Sequence, residues 1–258
     1  MSAWSRQLPA AMVARFSTQQ PAVLGRPAEI GQERTFGIYL SCHNFSAHFL
    51  KKIPKCRRFT LLTIKRSAFS VKCRDDLAAQ ATWLSTIVEN LGDSQAHLIA
   101  GAAFQIGWSV LKLVDTTQGL MLCEPDFDND PIYDFREDVS STLDVLHAQQ
   151  TLMSKVGCSP TDIRFDDKVV IFRGCLEEAR IYGERREPEK GDSGWYFGPT
   201  RQHSSPSAND LEFVFAYQLL HRRPQLVSAM CLPANWIVVW EGQKVVGIAD
   251  SDNKERLL

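Results

Sequence analysis

The chain has 258 residues, of which 44% are hydrophobic and 23% charged, and its formal net charge is −1. These values are ordinary for a globular protein and leave room for one large domain or two small ones. The near-neutral charge argues against a general nucleic-acid-binding protein, which usually carries a strong basic excess.

Seven cysteines are spread along the chain, and no two of them form a Cys-x-x-Cys pair. This spacing argues against a zinc knuckle or a redox dithiol and favours buried free thiols in a reducing compartment. No stretch reaches the roughly 18–20 apolar residues of a membrane span, and the first residues lack the apolar core of a secretory signal. We therefore expect a cytoplasmic protein without metal, cofactor or membrane partner.

Residues 1–34 are rich in Ala, Gln, Pro and Arg and are typical of an N-terminal arm or tail. Residues 1–28 contain three arginines and no acid, which in composition also resembles an organellar transit peptide. A first strand is predicted at Phe36–Leu40. The run from Lys51 to Arg74 is basic and contains Phe59–Ile64, which has strand composition. We interpret this basic run as a pair of strands whose lysines face solvent, in preference to a surface that binds RNA or DNA.

Asp75 and Asp76 open a predicted helix, because acids stabilise the N-terminal end of a helix. The apolar residues of this helix recur at spacings of three and four, which places them on one face. They are Leu77, Ala81, Leu84, Val88 and Leu91. A hairpin follows, with strands from Trp108 to Asp115 and from Leu120 to Cys123 around a turn at Thr116–Gly119.

The segment from Glu124 to Asp138 holds seven acids and one base, Arg136. Three interpretations compete. The spacing of its acids partly matches a calcium-binding EF-hand loop, but Pro131 stands where that loop requires glycine. The segment also fits an acidic surface that docks a basic partner, or a solvated loop whose carboxylates cap the next helix. That helix is predicted from Val139 to a stop at Gly157.

A polar joint after residue 157 indicates a domain boundary, so we predict an N-terminal α+β domain at 35–157 and a C-terminal one at 158–258. In the C-terminal domain we expect strands near 168–173, 178–183 and 195–197. A helix capped by Asn209 and Asp210 and ending before Pro224 should follow. A hairpin at 236–249 completes a small sheet with one helix over it. The fold class is therefore α+β, with two short, mainly antiparallel sheets.

The stretch Gly191–Gly198 has the sequence Gly-Asp-Ser-Gly-Trp-Tyr-Phe-Gly. Its first four residues match the nucleophile loop of trypsin-like serine proteases, but the third glycine of that loop is replaced by Trp195 and the histidine context is missing. We interpret the stretch as a turn into a half-buried strand, with Trp195 and Phe197 on one face and Tyr196 on the other.

Together with Gly107-Trp108 and Glu124-Pro125-Asp126-Phe127, this stretch resembles bacterial immunity proteins of polymorphic-toxin and type VI secretion systems. Residues 165–251 are similar to an immunity-type domain long annotated only as a domain of unknown function. The chain also resembles the immunity partners of restriction-endonuclease-like type VI toxins. Tyr196, Pro199 and a longer polar loop at 199–208 depart from the usual pattern of the family.

The resemblance implies an antitoxin rather than an enzyme. Such a protein binds one cognate toxin, expected here to be a nuclease, and neutralises it stoichiometrically in the cytoplasm. The expected partner-binding residues lie in the acidic segment and in the polar loop. They are Glu124, Asp126, Asp128, Asp130, Asp192, Trp195, Tyr196 and Arg201. Two other functions stay open at this point: a metal-dependent hydrolase that uses the acidic segment, and a nucleic-acid-binding module that uses residues 51–74. The sequence leaves the oligomeric state unresolved.

Overall fold

The computed structural model describes residues 35–36, 60–66, 68–90, 98–201 and 206–257. Several predictions fall wholly or partly outside these residues: the arm at 1–34, most of the first strand, the beginning of the basic run, the predicted helix stop at Gly92, and part of the polar loop at 202–205. The described chain forms two compact units. The first unit contains Glu33–Asp166 and Leu226–Leu232, and the second contains Asp167–Gln225 and Pro233–Leu258.

The first unit is built on a mixed sheet in the order β1-β4-β5-β6-β3-β2, with the short β7 paired to β6. Its strands are β1 Thr35–Phe36, β2 Leu61–Lys65, β3 Ser70–Arg74, β4 Ala103–Ile106, β5 Ser109–Thr116, β6 Gly119–Pro125 and β7 Phe135–Arg136. The predicted hairpin is confirmed, since β5 and β6 pair antiparallel and meet at Thr116 and Gly119. The β1–β4 and β3–β6 pairs are parallel.

Two helices of the first unit contribute to its hydrophobic core. Helix α1 spans Ala78–Glu89 and follows one 3-10 turn at Asp75–Leu77. Helix α2 spans Ser140–Val156 and ends at Gly157, whose φ of 68° is the left-handed conformation of a C-cap. The predicted face of α1 is confirmed over the described residues, because Leu77, Ala81, Leu84 and Val88 are buried in one cluster, which also contains Leu143 and Leu146 of α2.

The segment Leu226–Leu232 belongs to the first unit although it lies far along the chain. Gln149 of α2 donates a side-chain hydrogen bond to the carbonyl of Val227 over 3.2 Å. The amide of Thr161 donates to the carbonyl of Cys231 over 2.8 Å. These bonds account for its return, which no feature of the sequence predicted.

The second unit contains a sheet in the order β11-β8-β10-β9-β12-β13-β14. Its strands are β8 Lys168–Phe172, β9 Arg180–Arg185, β10 Asp192–Pro199, β11 Leu211–Phe215, β12 Ile237–Glu241, β13 Lys244–Ala249 and β14 Glu255–Leu257. Of the strand pairs described in this sheet, only β8–β10 is parallel, so the sheet is mainly antiparallel. The first sheet is mainly antiparallel as well. The predicted α+β class with two sheet regions is confirmed.

The helix prediction for this unit is wrong. The sequence predicts a helix from Leu211 to Arg222-Arg223, but Leu211–Phe215 is strand β11, which pairs antiparallel with β8. The predicted cap at Asn209 and Asp210 is also wrong, because Ser207 is the N-cap and forms a capping box with Asp210 around a single 3-10 turn at Ala208–Asp210. Phe213–Phe215 are three consecutive residues of high β-propensity. They pair with the backbone of β8, and this pairing outweighs the helical spacing of the apolar residues in the segment. Among the residues of this unit that the structure describes, α-helix occurs only in α3, Leu219–Arg222, which ends before Pro224 as predicted.

No disulfide joins the five cysteines that the structure describes, and four of the five are buried. Burial raises the pKa of the Cys73 and Cys123 thiols to about 11, so both thiols stay protonated near neutral pH. Within the described ranges, no helix has the length and apolar character needed to cross a membrane.

The buried face of the second sheet rests on an aromatic stack. The rings of Trp195 and Phe197 stack with centroids 5.4 Å apart, and Phe197 meets Trp240 edge-on at 5.7 Å. Gly183 on β9 lies opposite Phe197, and a Cβ added to Gly183 would fall 2.6 Å from the ring of Phe197. The absence of a side chain at Gly183 therefore makes room for the stack.

We expect Gly183→Ala to destabilise the protein by about 1–3 kcal/mol, because the added methyl group overpacks the stack. Urea unfolding followed by tryptophan fluorescence measures this change. Gln243→Ala, at an exposed position of the β12–β13 turn, is the matched control and should stay within about 0.5 kcal/mol of the parent. Equal stability of the two variants would contradict this account of the stack.

Candidate partner-binding site

The acidic segment closes into a compact loop between Asp126 and Asp134. The amide of Asp126 donates to the carbonyl of Asp134 over 2.8 Å. The Asp126 carboxylate accepts hydrogen bonds from the Asn129 side chain at 2.7 Å and from the Asp128 amide at 3.2 Å. The Asn129 bond, with further help from Arg136, lowers the pKa of Asp126. Asp130 accepts from the Ile132 amide at 3.0 Å. Several of these carboxylates therefore stabilise their own loop.

Phe127 fixes this loop, which we call the acidic loop (residues 126–134), to the core of the first unit. Its buried ring stacks on Trp108 with centroids 5.2 Å apart and meets Phe165 edge-on at 5.8 Å. The structure thus brings together two separate motifs from the sequence, Gly107-Trp108 and Glu124–Phe127. Gly107 contributes by its small size, because a Cβ there would lie 2.4 Å from Leu146 of α2.

Glu124 lies beneath the loop and is fully buried, which corrects its expected place on the docking surface. One carboxylate oxygen accepts two bonds from the Arg136 guanidinium, at 2.8 and 2.9 Å. The other accepts the Thr142 amide at 2.7 Å. Burial raises the pKa of Glu124 to about 7, although Arg136 and Thr142 act in the opposite direction. Arg136 also pairs with Asp128 and hydrogen-bonds Ser141.

The helix-capping interpretation of the acidic segment is confirmed. Asp138 accepts the Ser140 amide at 3.0 Å, and Glu124 accepts the Thr142 amide. Both amides belong to the first turn of α2, where the chain has no earlier carbonyl to satisfy them. The negative charge of both carboxylates also suits the positive end of the helix.

The outer surface of the acidic loop carries Asp128, Asp130, Tyr133 and Asp134, all of which are exposed. Tyr133 is 65% exposed, the highest value among the large hydrophobic side chains that the structure describes as exposed. No sequence pattern singles out Tyr133, because it is the one aromatic residue among residues 128–134 and belongs to no periodic apolar pattern. Across the described residues, no group of three or more His, Cys, Asp or Glu is arranged to hold a metal ion.

In the second unit, Asp192 and Gly194 shape the start of β10. The Asp192 carboxylate accepts the Gly194 amide at 2.8 Å. Gly194 has a φ of 75°, and a Cβ there would lie 2.3 Å from the carbonyl oxygen of Arg186. Ser193 is buried and donates its hydroxyl to the Lys168 carbonyl at 2.7 Å. The Gly-Asp-Ser-Gly sequence is therefore a structural turn here.

The predicted facing of β10 is confirmed, since Trp195 and Phe197 are buried and Tyr196 lies on the opposite face. Trp195 is only 1% exposed, so it supports the sheet and cannot itself touch a partner in this conformation. Tyr196 is half-buried rather than exposed. Its ring lies 5.8 Å from that of Tyr182, and burial raises the pKa of its hydroxyl to about 12. Arg201 is exposed as expected.

Residues 148–250 match the family model of the Imm33-like domain. This match covers about two fifths of the chain and suggests an immunity-protein-type family. It includes β8 to β13 and the Asp192–Gly198 stretch, whereas the acidic loop lies before it. Comparisons with curated proteins and with solved structures find no match to this chain.

The buried pair of Glu124 and Arg136 predicts a pH-dependent effect of mutation. We expect Arg136→Ala to cost about 3–5 kcal/mol near pH 8, because the ionised Glu124 is then buried without a cation. Burial raises the pKa of Glu124 from 4.5 to about 7 in the folded chain, so folding favours the protonated form between these values. The stability that depends on this group is therefore lost as pH rises through about 7, and the cost of Arg136→Ala should be smaller at pH 5.

Urea unfolding at pH 5 and pH 8 measures this difference. Lys72→Ala is the matched control, because it removes a cation from an exposed pair with Glu137 at 3.3 Å. That variant should lose no more than about 1 kcal/mol at either pH. An Arg136→Ala cost that does not change with pH would contradict the assigned role of Glu124.

Proposed function

We propose that this protein is an immunity protein, an antitoxin that binds a cognate antibacterial toxin and neutralises it by stoichiometric protein–protein binding. The observation that carries the proposal is the match of residues 148–250 to the Imm33-like domain. Neutralisation by binding needs an exposed, preformed surface and no catalytic group. The acidic loop is such a surface, and the Gly-Asp-Ser-Gly turn, with its buried Ser193, offers no accessible nucleophile.

The acidic loop is the first contact surface of the proposal. Its backbone is held by the Asp126–Asp134 bond and by the stacking of Phe127 on Trp108, so little conformational entropy is lost when a partner binds. Asp128, Asp130 and Asp134 are exposed on the same loop as Tyr133, and the Asp128 carboxylate also pairs with Arg136. Tyrosine is a preferred anchor in interfaces, and surrounding charges guide encounter with a basic surface. Glu124 and Asp126 contribute by holding the loop in this shape.

This arrangement favours a basic toxin, and a nuclease is the expected class. A nuclease must bind phosphate groups through cationic side chains, and a rigid set of carboxylates competes for the same site. The half-buried Tyr196, Asp192 and the exposed Arg201 form a second proposed contact region, at the strand β10 and the loop after it. Trp195 supports that strand from the buried face. We propose that the protein neutralises this toxin in the cytoplasm of a bacterium that uses a polymorphic-toxin or type VI secretion system.

Capture of the partner tests the proposal. The full chain is tagged and used as bait in a lysate of its own organism at moderate salt, and the retained proteins are identified by mass spectrometry. We expect one dominant partner that stops growth when expressed alone and permits growth when this chain is co-expressed. Retention of nothing, or of nucleic acid only, would contradict the proposal, and so would a captured partner whose expression does not impair growth.

Variants of the acidic loop test its part in binding the captured partner. We expect Tyr133→Ala combined with Asp130→Asn to weaken binding by at least about tenfold, since interface anchors commonly contribute more than about 1 kcal/mol each. Isothermal titration calorimetry measures the affinity, and the loss should shrink as salt rises because salt screens the charge contribution. Asp162→Asn removes an exposed acid elsewhere in the first unit and should bind as the parent does. Unchanged affinity of the loop variant would exclude this loop as the contact surface.

A further inference from the structure

Glu124 is a buried carboxylate whose hydrogen-bond partners, among the described residues, lie in one short segment. Its exposed fraction is 0%. Arg136 donates two bonds to one carboxylate oxygen, and the Thr142 amide donates one to the other. We call residues 135–142, which run from β7 to the first turn of α2, the β7–α2 segment. Because both partners belong to this segment, its separation from β6 would expose the carboxylate to water.

Three carboxylates share the Arg136 guanidinium. Besides Glu124, the guanidinium contacts Asp128 and lies 4.0 Å from Asp126. The Asp126 and Asp128 side chains are 20% and 57% exposed, so water stabilises their charges, whereas the Glu124 side chain has no contact with solvent. Burial disfavours the ionised form of a carboxyl group. Of the three groups, Glu124 is therefore the one that takes up a proton first as the pH falls.

The surroundings of Glu124 also offer an acceptor for that proton. The Thr142 hydroxyl lies within hydrogen-bonding reach of the carboxylate, and it donates to the Ser109 hydroxyl at 3.1 Å. All three side chains are fully buried. A hydroxyl group accepts one bond while it donates another, and a protonated carboxyl group donates one. Protonated Glu124 can thus donate to Thr142 while Thr142 donates to Ser109, which accommodates the proton inside the core.

The other titratable groups on the elements around Glu124 have contacts of their own. Lys112 of β5 pairs with the residue before Glu124, so it lies on the opposite face of the sheet, over the ring of Phe135. Burial raises the pKa of Cys73 on β3 to about 11, so this thiol is neutral near pH 7. The remaining contacts of this kind on β3 and at the start of α2 are Lys72 with Glu137, Arg74 with Asp76 and Asp144, and Asp138 with the Ser140 amide.

We propose that a proton on Glu124 controls the local opening of the β7–α2 segment. The segment is held closed over the protonated carboxyl group and opens more readily as this group ionises. It directly follows the acidic loop, so a fall in pH also steadies the C-terminal end of that loop. This inference does not depend on whether the acidic loop binds a partner.

The direction of the effect follows from the difference between the closed and the open segment. Burial raises the pKa of Glu124 to about 7 in the closed segment, whereas the carboxyl group exposed by opening returns to its ordinary value of 4.5. Between these two pH values the closed form holds a proton that the open form has lost. The opening equilibrium therefore rises by up to about tenfold per pH unit between pH 4.5 and about 7, and it levels off above that range.

Hydrogen exchange of the Thr142 amide measures this opening, because its bonding partner is the Glu124 carboxylate. Exchange of the full chain is followed by NMR at pH 5 and pH 7.5, and division by the intrinsic exchange rate gives the protection factor. We expect the protection of Thr142 to fall by at least about tenfold from pH 5 to pH 7.5. The Leu113 amide bonds the Ala102 carbonyl at 2.8 Å in the same sheet. It reports global unfolding and should be better protected than Thr142 at both pH values.

Two variants and one titration identify the responsible group. Glu124→Gln removes the titrating carboxyl, so the protection of Thr142 should agree within about twofold at the two pH values, whatever its absolute level. Glu137→Gln is the matched control, because it changes an acid of the same segment whose side chain is 45% exposed, and it should keep the pH dependence of the parent. Titration of the Glu124 carboxyl carbon by NMR in the parent chain needs no variant. Its midpoint should lie well above that of an exposed glutamate.

Equal protection of Thr142 at pH 5 and pH 7.5 in the parent chain would overturn the inference. A pH dependence that persists in a folded Glu124→Gln variant would do the same, because another group would then be titrating. Equal protection of Thr142 and Leu113 would assign the exchange to global unfolding and exclude a local opening. A carboxyl titration with the midpoint of an exposed glutamate would contradict the assignment of the proton to Glu124.

Discussion

The buried ion pair of Glu124 and Arg136 is the interaction on which the first unit's candidate site depends. Glu124 is the one acid of strand β6 and accepts hydrogen bonds from Arg136 on β7 and from the first turn of α2. One carboxylate therefore joins the sheet, the acidic loop and the helix. A buried pair contributes little net stability but is costly to break, because each charge left alone is desolvated. The pair consequently fixes the shape of the loop more than it adds to the free energy of folding.

Much of the fold follows from local patterns. The structure shows three local features that the sequence predicts: the stop of α2 at Gly157, the hairpin around Thr116–Gly119 and the alternation in β10. In these elements, side-chain periodicity and turn chemistry act together. β11 is the exception. Its apolar residues fit a helical face, but the structure pairs it with β8. The spacing of residues within 211–215 does not reveal that β8, about 40 residues earlier in the chain, has an edge to which this segment can bond.

The candidate site was harder to predict than the fold. Counting acids between Glu124 and Asp138 indicates a charged surface but does not distinguish a carboxylate that faces solvent from one that caps a helix. Glu124 and Asp138 serve the helix, Asp126 serves the loop, and Asp128, Asp130 and Asp134 remain at the surface. Trp195 was likewise chosen for its residue type, and alternation along β10 places it in the core. Long-range pairing decides these roles, as it decides the return of Leu226–Leu232 to the first unit.

The central claim is that a partner protein binds the preformed acidic loop. Hydrogen–deuterium exchange of the full chain, with and without the captured partner, tests it most directly. The account predicts slower exchange of the amides in 128–134, with little change in the buried strands β5 and β6, because the loop is covered without refolding of the sheet. Unchanged exchange in the loop, together with protection at another surface of a saturated complex, would contradict the claim.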